Sequence, residues 1–99
     1  MDIKLVDRGE EGELILSGKL DATSAPPTEE VFMKTAARFT NITLNLKSLQ
    51  YVSSAGLRVI KRLYLEVRKN GGELTVCNVS DYVMEVFEMI GFATILNFK

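Results

Sequence analysis

The apolar residues of this 99-residue chain alternate between two spacings, and this alternation limits the folds that the chain can adopt. In residues 3–6, 13–20 and 41–46, roughly every second residue is apolar, as in a strand with one buried face. In the segments between and after them, apolar residues recur every three or four positions, as on one face of a helix. A chain that alternates in this way is predicted to form layers of sheet and helices.

The first half of the chain predicts a hairpin, a helix and a third strand. Residues 3–6 and 13–20 are joined by a short segment with two glycines, which favours antiparallel pairing. A helix follows, with Pro26 and Pro27 in its first turn, where proline is tolerated. The residues predicted to face inward from this helix are Val31, Phe32, Ala36 and Phe39.

The second half contains the clearest helical pattern, in residues 54–69. Leu57, Ile60, Tyr64 and Val67 recur along one face of that segment. The sequence Asn-Gly-Gly at 70–72 predicts the end of the helix. A strand over 73–79, a third helix that begins after Ser80 and ends before Gly91, and an edge strand over 94–98 complete the chain.

The order β-β-α-β-α-β-α-β predicts an α/β fold. We expect a single-layer mixed β-sheet of about five strands with helices packed mainly on one face, because crossover helices imply parallel pairing and the hairpin adds an antiparallel strand. A length near 100 residues is common for one domain, so residues 1–99 are expected to form a single domain.

Composition excludes several classes of partner. The net charge is −1, from 12 basic and 13 acidic residues, so no overall field attracts nucleic acid or an anionic membrane. No apolar run approaches the roughly 20 residues of a membrane span. The single cysteine, Cys77, cannot form an internal disulfide. We therefore expect a cytoplasmic protein with no nucleic-acid partner and no membrane insertion.

The chain contains no histidine, which excludes the Ser-His-Asp and Cys-His nucleophile designs and the commonest zinc sites. It also lacks a phosphate-binding glycine-lysine loop and a CxxC pair. These absences predict that the protein is not an enzyme and give no indication of a metal or other cofactor.

Two adjacent serines, Ser53 and Ser54, lie where the third strand gives way to the second helix. Either hydroxyl could cap the helix by accepting a hydrogen bond from a free backbone N–H. Alternatively, an exposed hydroxyl at this position could accept a phosphate, because the helix start favours negative charge. The small neighbours Ala55 and Gly56 fit a kinase-accessible site, and they also fit tight packing against the sheet.

The second helix also has a basic side, formed by Arg58, Lys61, Arg62 and Arg68 at helical spacings. Charged residues of this kind usually form a solvated face. The alternative is a docking face for a partner with an acidic or mixed surface.

Three stretches together resemble a known family. They are "LSGKLDATSAP" from Leu16, "ITLNLKSLQYVSSAGLRVI" from Ile42 and "NGGELTVCNVSDYVMEVFEMIGF" from Asn70. In order and spacing they resemble a STAS domain of the bacterial anti-sigma factor antagonist type. The resemblance covers nearly the whole chain and agrees with the predicted order of strands and helices.

The resemblance implies a site around the two serines. When the chain is aligned on Gly56 and Leu57, Ser54 matches the family's phosphorylated serine and Ser53 occupies the position of its aspartate. Ser53 is therefore a competing acceptor, and Asp21 matches the family's aspartate after the second strand. The residues assigned to partner binding, of which Arg58 and Lys61 come from the basic side of the second helix, are Asp21, Thr23, Ser53, Ala55, Gly56, Leu57, Arg58 and Lys61.

The family's mechanism implies that the unphosphorylated chain binds an anti-sigma factor that is also a serine kinase, and so releases a sigma factor. Phosphorylation would weaken the complex, and a serine phosphatase would restore the antagonist. One alternative is a STAS scaffold that is never phosphorylated, in a stress-signalling or lipid-transport complex. Another is a domain that binds a small ligand such as a nucleotide. A monomer and a weak dimer both remain open.

Overall fold

The computed structural model describes residues 1–99 and contains five strands and three helices. The strands are β1 (Asp2–Asp7), β2 (Glu11–Leu20), β3 (Asn41–Val52), β4 (Leu74–Cys77) and β5 (Asn97–Phe98). The helices are α1 (Ala25–Arg38), α2 (Ser54–Lys69) and α3 (Asp81–Met89), and a short 3₁₀ turn covers Phe92–Thr94. No helix combines the length and the apolar character that a membrane crossing requires.

The strands form one mixed sheet in the order β1-β2-β3-β4-β5. β1 and β2 are antiparallel, whereas β2, β3, β4 and β5 pair in parallel. Because the strand order follows the chain order, right-handed crossovers place the three helices on the same face of the sheet. The predicted α/β order and the predicted mixed sheet with its helices on one face are confirmed.

The face of the sheet beneath the helices is apolar, and the opposite face is largely polar. Leu14 and Leu16 of β2, Leu44 of β3 and Val76 of β4 are completely buried on the helix side. They belong to a core of 23 buried apolar residues that also includes Phe32, Leu63 and Phe87 from the three helices. One hydrophobic layer therefore holds every helix against the sheet.

Strand β3 is longer than the sequence predicted. The predicted strand covered residues 41–46, where buried residues alternate, but β3 continues to Val52. Beyond Leu46 the buried residues are three positions apart, at Leu49 and Val52. The pairing with β2 shifts register twice in this region, and at each shift β3 has one residue more than β2. Because strict alternation is lost there, the spacing of apolar residues did not predict this part of the strand.

The inward face of α1 was predicted almost correctly. Phe32, Ala36 and Phe39 are buried, but Val31 is 36% exposed, and its predicted inward position is wrong. Successive helix residues are about 100° apart, so Val31 lies toward the edge of the sheet. There it lines a surface groove with Ile3 of β1.

The end of α2 depends on two glycines with different roles. Gly71 has a φ of 80°, a left-handed conformation that glycine adopts without steric cost. Gly72 lies so close to α1's end that an added Cβ atom would be 1.6 Å from the Thr40 carbonyl oxygen. The turn from α2 into β4 therefore requires glycine at both positions, at Gly71 for its backbone conformation and at Gly72 for lack of space.

The open face of the sheet carries a polar cluster on its central strands. The Glu13 carboxylate accepts hydrogen bonds from Asn45 Nδ2 at 3.0 Å and from Arg8 Nη2 at 2.6 Å. The Glu13 side chain is only 12% exposed. The hydrogen bond from Asn45 and the contact with Arg8 lower the pKa of Glu13 although burial acts in the opposite direction.

We expect Glu13→Gln to reduce the free energy of unfolding at pH 7 by about 1–2 kcal/mol, because it removes a charged acceptor held by two donors. The lowered pKa of Glu13 stabilises the folded chain above the unfolded value of about 4.3, and this contribution is lost as the pH falls through the folded value. Urea unfolding at pH 7, 5 and 3.5 should therefore show that the difference in free energy of unfolding between the native chain and Glu13→Gln becomes smaller as the pH is lowered.

The matched control is Glu10→Gln, since Glu10 is exposed and belongs to none of the salt bridges. It should leave the unfolding midpoint nearly unchanged at each pH. A loss of stability in Glu13→Gln that is equally large at pH 3.5 and pH 7 would contradict the assigned role of the carboxylate.

Candidate functional site

The junction between β3 and α2 places Ser53 in a structural role. The Ser53 N–H donates to the Leu20 carbonyl of β2 at 2.8 Å. Its hydroxyl oxygen accepts a hydrogen bond from the Gly56 N–H at 3.3 Å and caps α2. The residue is half-buried. Of the two serines that the sequence offered as caps, Ser53 is the one that caps the helix.

Ser54 is the first residue of α2, and its environment is different. Its side chain is exposed. Because Ser53 provides the cap, the Ser54 hydroxyl is not needed for that purpose. Two neighbouring hydroxyls are therefore separated by function: Ser53 stabilises the helix start and Ser54 faces solvent.

The next residues fix the start of α2 against the sheet. A Cβ atom at Gly56 would lie 2.7 Å from Leu20 Cγ and 2.8 Å from the Leu20 carbonyl oxygen. Ala55 is half-buried, and Leu57 is only 8% exposed. The small residues thus permit close packing, and Gly56 and Leu57, both predicted to bind a partner, expose little surface that a partner could contact.

The loop between β2 and α1 is held by Asp21. Its carboxylate accepts hydrogen bonds from the backbone N–H groups of Thr23 at 3.0 Å and Ser24 at 3.1 Å. These bonds, chiefly the one from the Ser24 N–H, lower the pKa of Asp21. The carboxylate is therefore engaged within its own turn, while Thr23 is exposed.

This loop and the start of α2 lie side by side. Ala22 and Pro26 line one side of a surface groove, and Ala55 and Arg58 line the other. The Leu20 carbonyl that binds Ser53 directly precedes Asp21 in the chain. Two segments that are more than 30 residues apart in sequence thus form one surface beside the start of α2.

The sequence did not identify the other flank of Ser54. A second groove is lined by Ser54, Leu57, Arg58 and Lys61 together with two residues from the C-terminal region, Ile90 and Phe92. Ile90 follows α3 and is 45% exposed, whereas Phe92 is 7% exposed. No spacing in the sequence links these residues to Ser54, because the contact arises only when α3 returns beside α2.

The basic residues of α2 have different environments. Arg62 forms a salt bridge with Glu29 of α1. Arg58 and Lys61 are exposed and take part in none of the salt bridges of the structure. The same holds for Arg68 and Lys69 at the far end of the helix. The junction therefore presents an exposed hydroxyl beside two cations whose charges are not paired with carboxylates.

The surface around Ser54 combines an exposed hydroxyl with basic and apolar side chains. Cysteine and acidic side chains form no group of three that could hold a metal ion. The grooves on either side of Ser54 are shallow and open to solvent, so they do not enclose a substrate. What the arrangement provides is a hydroxyl that another protein can reach and a mixed polar, cationic and apolar surface around it.

Comparison with protein families identifies the chain over nearly its whole length. The model of the STAS domain matches residues 4–99. This range includes all the residues of the junction and both of its flanks.

Curated relatives with similar sequences include two bacterial proteins. BtrV of Bordetella bronchiseptica is 44% identical over 54 residues, which are 54% of this chain and 47% of that protein. The anti-sigma-B factor antagonist of Bacillus subtilis is 29% identical over 82 residues, which are 83% of this chain and 75% of that protein. The first match thus spans about half the length of its relative, and the second spans three quarters.

The fold is shared with SpoIIAA, an anti-sigma factor antagonist whose structure is known in two forms. The unphosphorylated form has a TM-score of 0.75 at 20% identity and covers 89% of this chain and 83% of its own. The phosphorylated form, from Bacillus, has a TM-score of 0.78 at 19% identity and covers 99% of this chain and 91% of its own. At this identity the similarity establishes the fold.

The different environments of the two serines predict different effects on stability. Ser53→Ala should reduce the free energy of unfolding by about 1 kcal/mol, because it removes the cap of α2. Ser54→Ala should change it by less than about 0.5 kcal/mol, because the exposed hydroxyl supports no such bond. Urea unfolding followed by circular dichroism measures both. Equal losses in the two variants would contradict the assignment of the cap to Ser53.

Proposed function

Because the chain belongs to the STAS-domain family, we propose that it acts as an anti-sigma factor antagonist. In this role it binds an anti-sigma factor while Ser54 is unphosphorylated, and the sigma factor becomes available for transcription. Phosphorylation of Ser54 weakens the complex. Residues 1–99 act as a single STAS-like domain in the cytoplasm, and the protein regulates by binding and not by catalysis.

The observation that carries this proposal is the exposure of Ser54 beside the engaged hydroxyl of Ser53. A kinase needs an accessible hydroxyl. Phosphorylation of Ser53 would instead disturb the hydrogen bond by which its hydroxyl caps α2. The name of the Bacillus subtilis relative and the two forms of SpoIIAA support the same assignment.

The covalent step belongs to the partners. An anti-sigma factor serine kinase transfers the γ-phosphoryl group of ATP to Ser54 Oγ, which loses its proton as the O–P bond forms and ADP leaves. A serine phosphatase hydrolyses the same bond with water and returns the free hydroxyl and inorganic phosphate. The chain itself needs no cofactor, and its role is that of substrate and switch.

Phosphorylation would act on binding through charge and solvation. The phosphate adds a charge of about −2 at a position where the helix N-terminus tolerates an anion, so the fold survives. In a complex, the same charge would lie in a contact surface that had closed around a neutral hydroxyl. Removing water from such a charge costs several kcal/mol, which is enough to shift affinity by orders of magnitude.

The partner surface in this proposal surrounds Ser54 on both sides. Thr23 in the β2–α1 loop and Arg58 and Lys61 on α2 are exposed and available for contact. Asp21 and Ser53 contribute mainly by holding their loops, and Ala55 is half-buried.

Incubation with the cognate anti-sigma factor kinase and ATP should place one phosphate on the chain, and mass mapping should locate it at Ser54. Ser54→Ala should abolish incorporation because it removes the accessible oxygen. Ser53→Ala, the adjacent control, should still be phosphorylated despite its weaker helix cap. Equal incorporation into Ser54→Ala and the native chain would show that Ser54 is not the acceptor.

Ser54→Asp should weaken binding to the same anti-sigma factor by at least about tenfold, a loss of about 1.4 kcal/mol. The physical reason is the negative charge placed in the contact surface. Ser54→Asn, which has nearly the same shape without the charge, is the matched control and should bind more tightly than Ser54→Asp. Titration calorimetry measures both, and equal affinities would exclude charge as the switch.

One residue favours a second function. Ser53 stands where the family pattern has an aspartate, and a chain without that acid could serve as a scaffold that is never phosphorylated. Stress-signalling assemblies and lipid-transport complexes are the candidate settings. If the complex with the partner remains intact after incubation with kinase and ATP, and neither Ser53 nor Ser54 carries a phosphate, the result would favour this scaffold role.

A further inference from the structure

The geometry points to a phosphate clamp formed within the chain: Arg58 and Lys61 bind the phosphate on Ser54 and are thereby withdrawn from the docking surface. This inference rests on the proposed function, because it concerns the phosphorylated state of the same residue. The role that it gives to Arg58 and Lys61 does not depend on which kinase modifies Ser54 or which partner binds.

The first observation is that the three side chains share one groove. Ser54, Arg58 and Lys61 line the same depression, with Ile90 and Phe92 on its other side. Arg58 is four residues after Ser54 and Lys61 is seven residues after it, so all three lie on one face of α2. Side chains of a helix lean toward its N-terminus, so Arg58 and Lys61 lean toward Ser54.

The second observation is that both cations are free to bind an anion. Neither takes part in a salt bridge, whereas the neighbouring Arg62 is bound to Glu29 of α1. Glu29 is the acidic residue that lines the groove on the α1 side of the junction, and its charge is already paired. The α3 side contributes only the apolar Ile90 and Phe92 to the shared groove.

The third observation is the apolar wall. Phe92 is almost completely buried, and Ile90 is partly exposed beside it. A wall of this kind reduces the water around one side of the groove, so an ion pair formed there is screened less than on a fully exposed helix. An arginine guanidinium is also well shaped to donate two hydrogen bonds to phosphate oxygens, and a lysine ammonium adds a mobile charge.

The clamp has a consequence for the switch. Without phosphate, Arg58 and Lys61 present two positive charges that favour an acidic partner surface. A bound phosphate of about −2 neutralises both cations. Phosphorylation therefore removes the attraction of both cations for an acidic partner, and the surface changes while the fold remains in place.

The test uses the full chain with phosphoserine introduced at position 54 during translation, so that no kinase is involved. The second pKa of the phosphate, about 6 for free phosphoserine, is followed by ³¹P NMR as a function of pH. In the native background it should lie at least roughly 0.5 unit below its value in Arg58→Gln/Lys61→Gln, because nearby cations favour the dianion. Each single variant should give part of the shift.

The matched control is Arg68→Gln/Lys69→Gln, which removes the same charge from the far end of α2. It should move the second pKa of the phosphate by less than roughly 0.2 unit, because those cations lie more than two turns away and are screened by solvent. Equal values in the native chain and Arg58→Gln/Lys61→Gln, or an equal shift in the control, would overturn the clamp. Since the phosphate is installed directly, neither result bears on whether a kinase uses Ser54, which the phosphorylation mapping decides separately.

Discussion

The parallel pairing of β2 with β3 determines where the other elements of this protein can lie. Parallel neighbours cannot be joined by a tight turn, so the chain must cross over the sheet through α1 before β3 begins. The same requirement holds between β3 and β4, which α2 connects. Because each crossover advances in the same direction along the sheet, the helices share one face and one core.

This arrangement also creates the site. β2 and β3 end at the same edge of the sheet, at Leu20 and Val52, so the β2–α1 loop and the start of α2 are neighbours. The hydrogen bond from Ser53 to Leu20 and the close approach of Gly56 to Leu20 fix the first turn of α2 in position. A rigid base of this kind allows Ser54 to face solvent without loosening the helix. The proposed switch thus changes the charge of a surface whose backbone does not need to move.

The predictions from sequence were most accurate where one pattern repeats without interruption. The bounds of α2 agree with the predicted residues 54–69, since its apolar face continues over about three turns and Gly71 ends it. The pattern failed at β3 beyond Leu46, where the pairing with β2 shifts register and the spacing of buried residues changes from two to three. It also failed at Val31, because periodicity gives the direction of a side chain but not how far the sheet extends beneath the helix.

The sequence by itself determined the order of strands and helices, the buried face of β2 and α2 and the location of two hydroxyls at a helix start. These features depend on local spacing and on residue type, which are present in the chain before it folds. Only the tertiary structure decided that Ser53 caps α2 while Ser54 is exposed, and that Ile90 and Phe92 lie beside Ser54. Ser53 precedes α2 in an extended conformation and Ser54 is its first residue, and the packing of the helix start against Leu20 and the position of the segment after α3 fix which hydroxyl faces water.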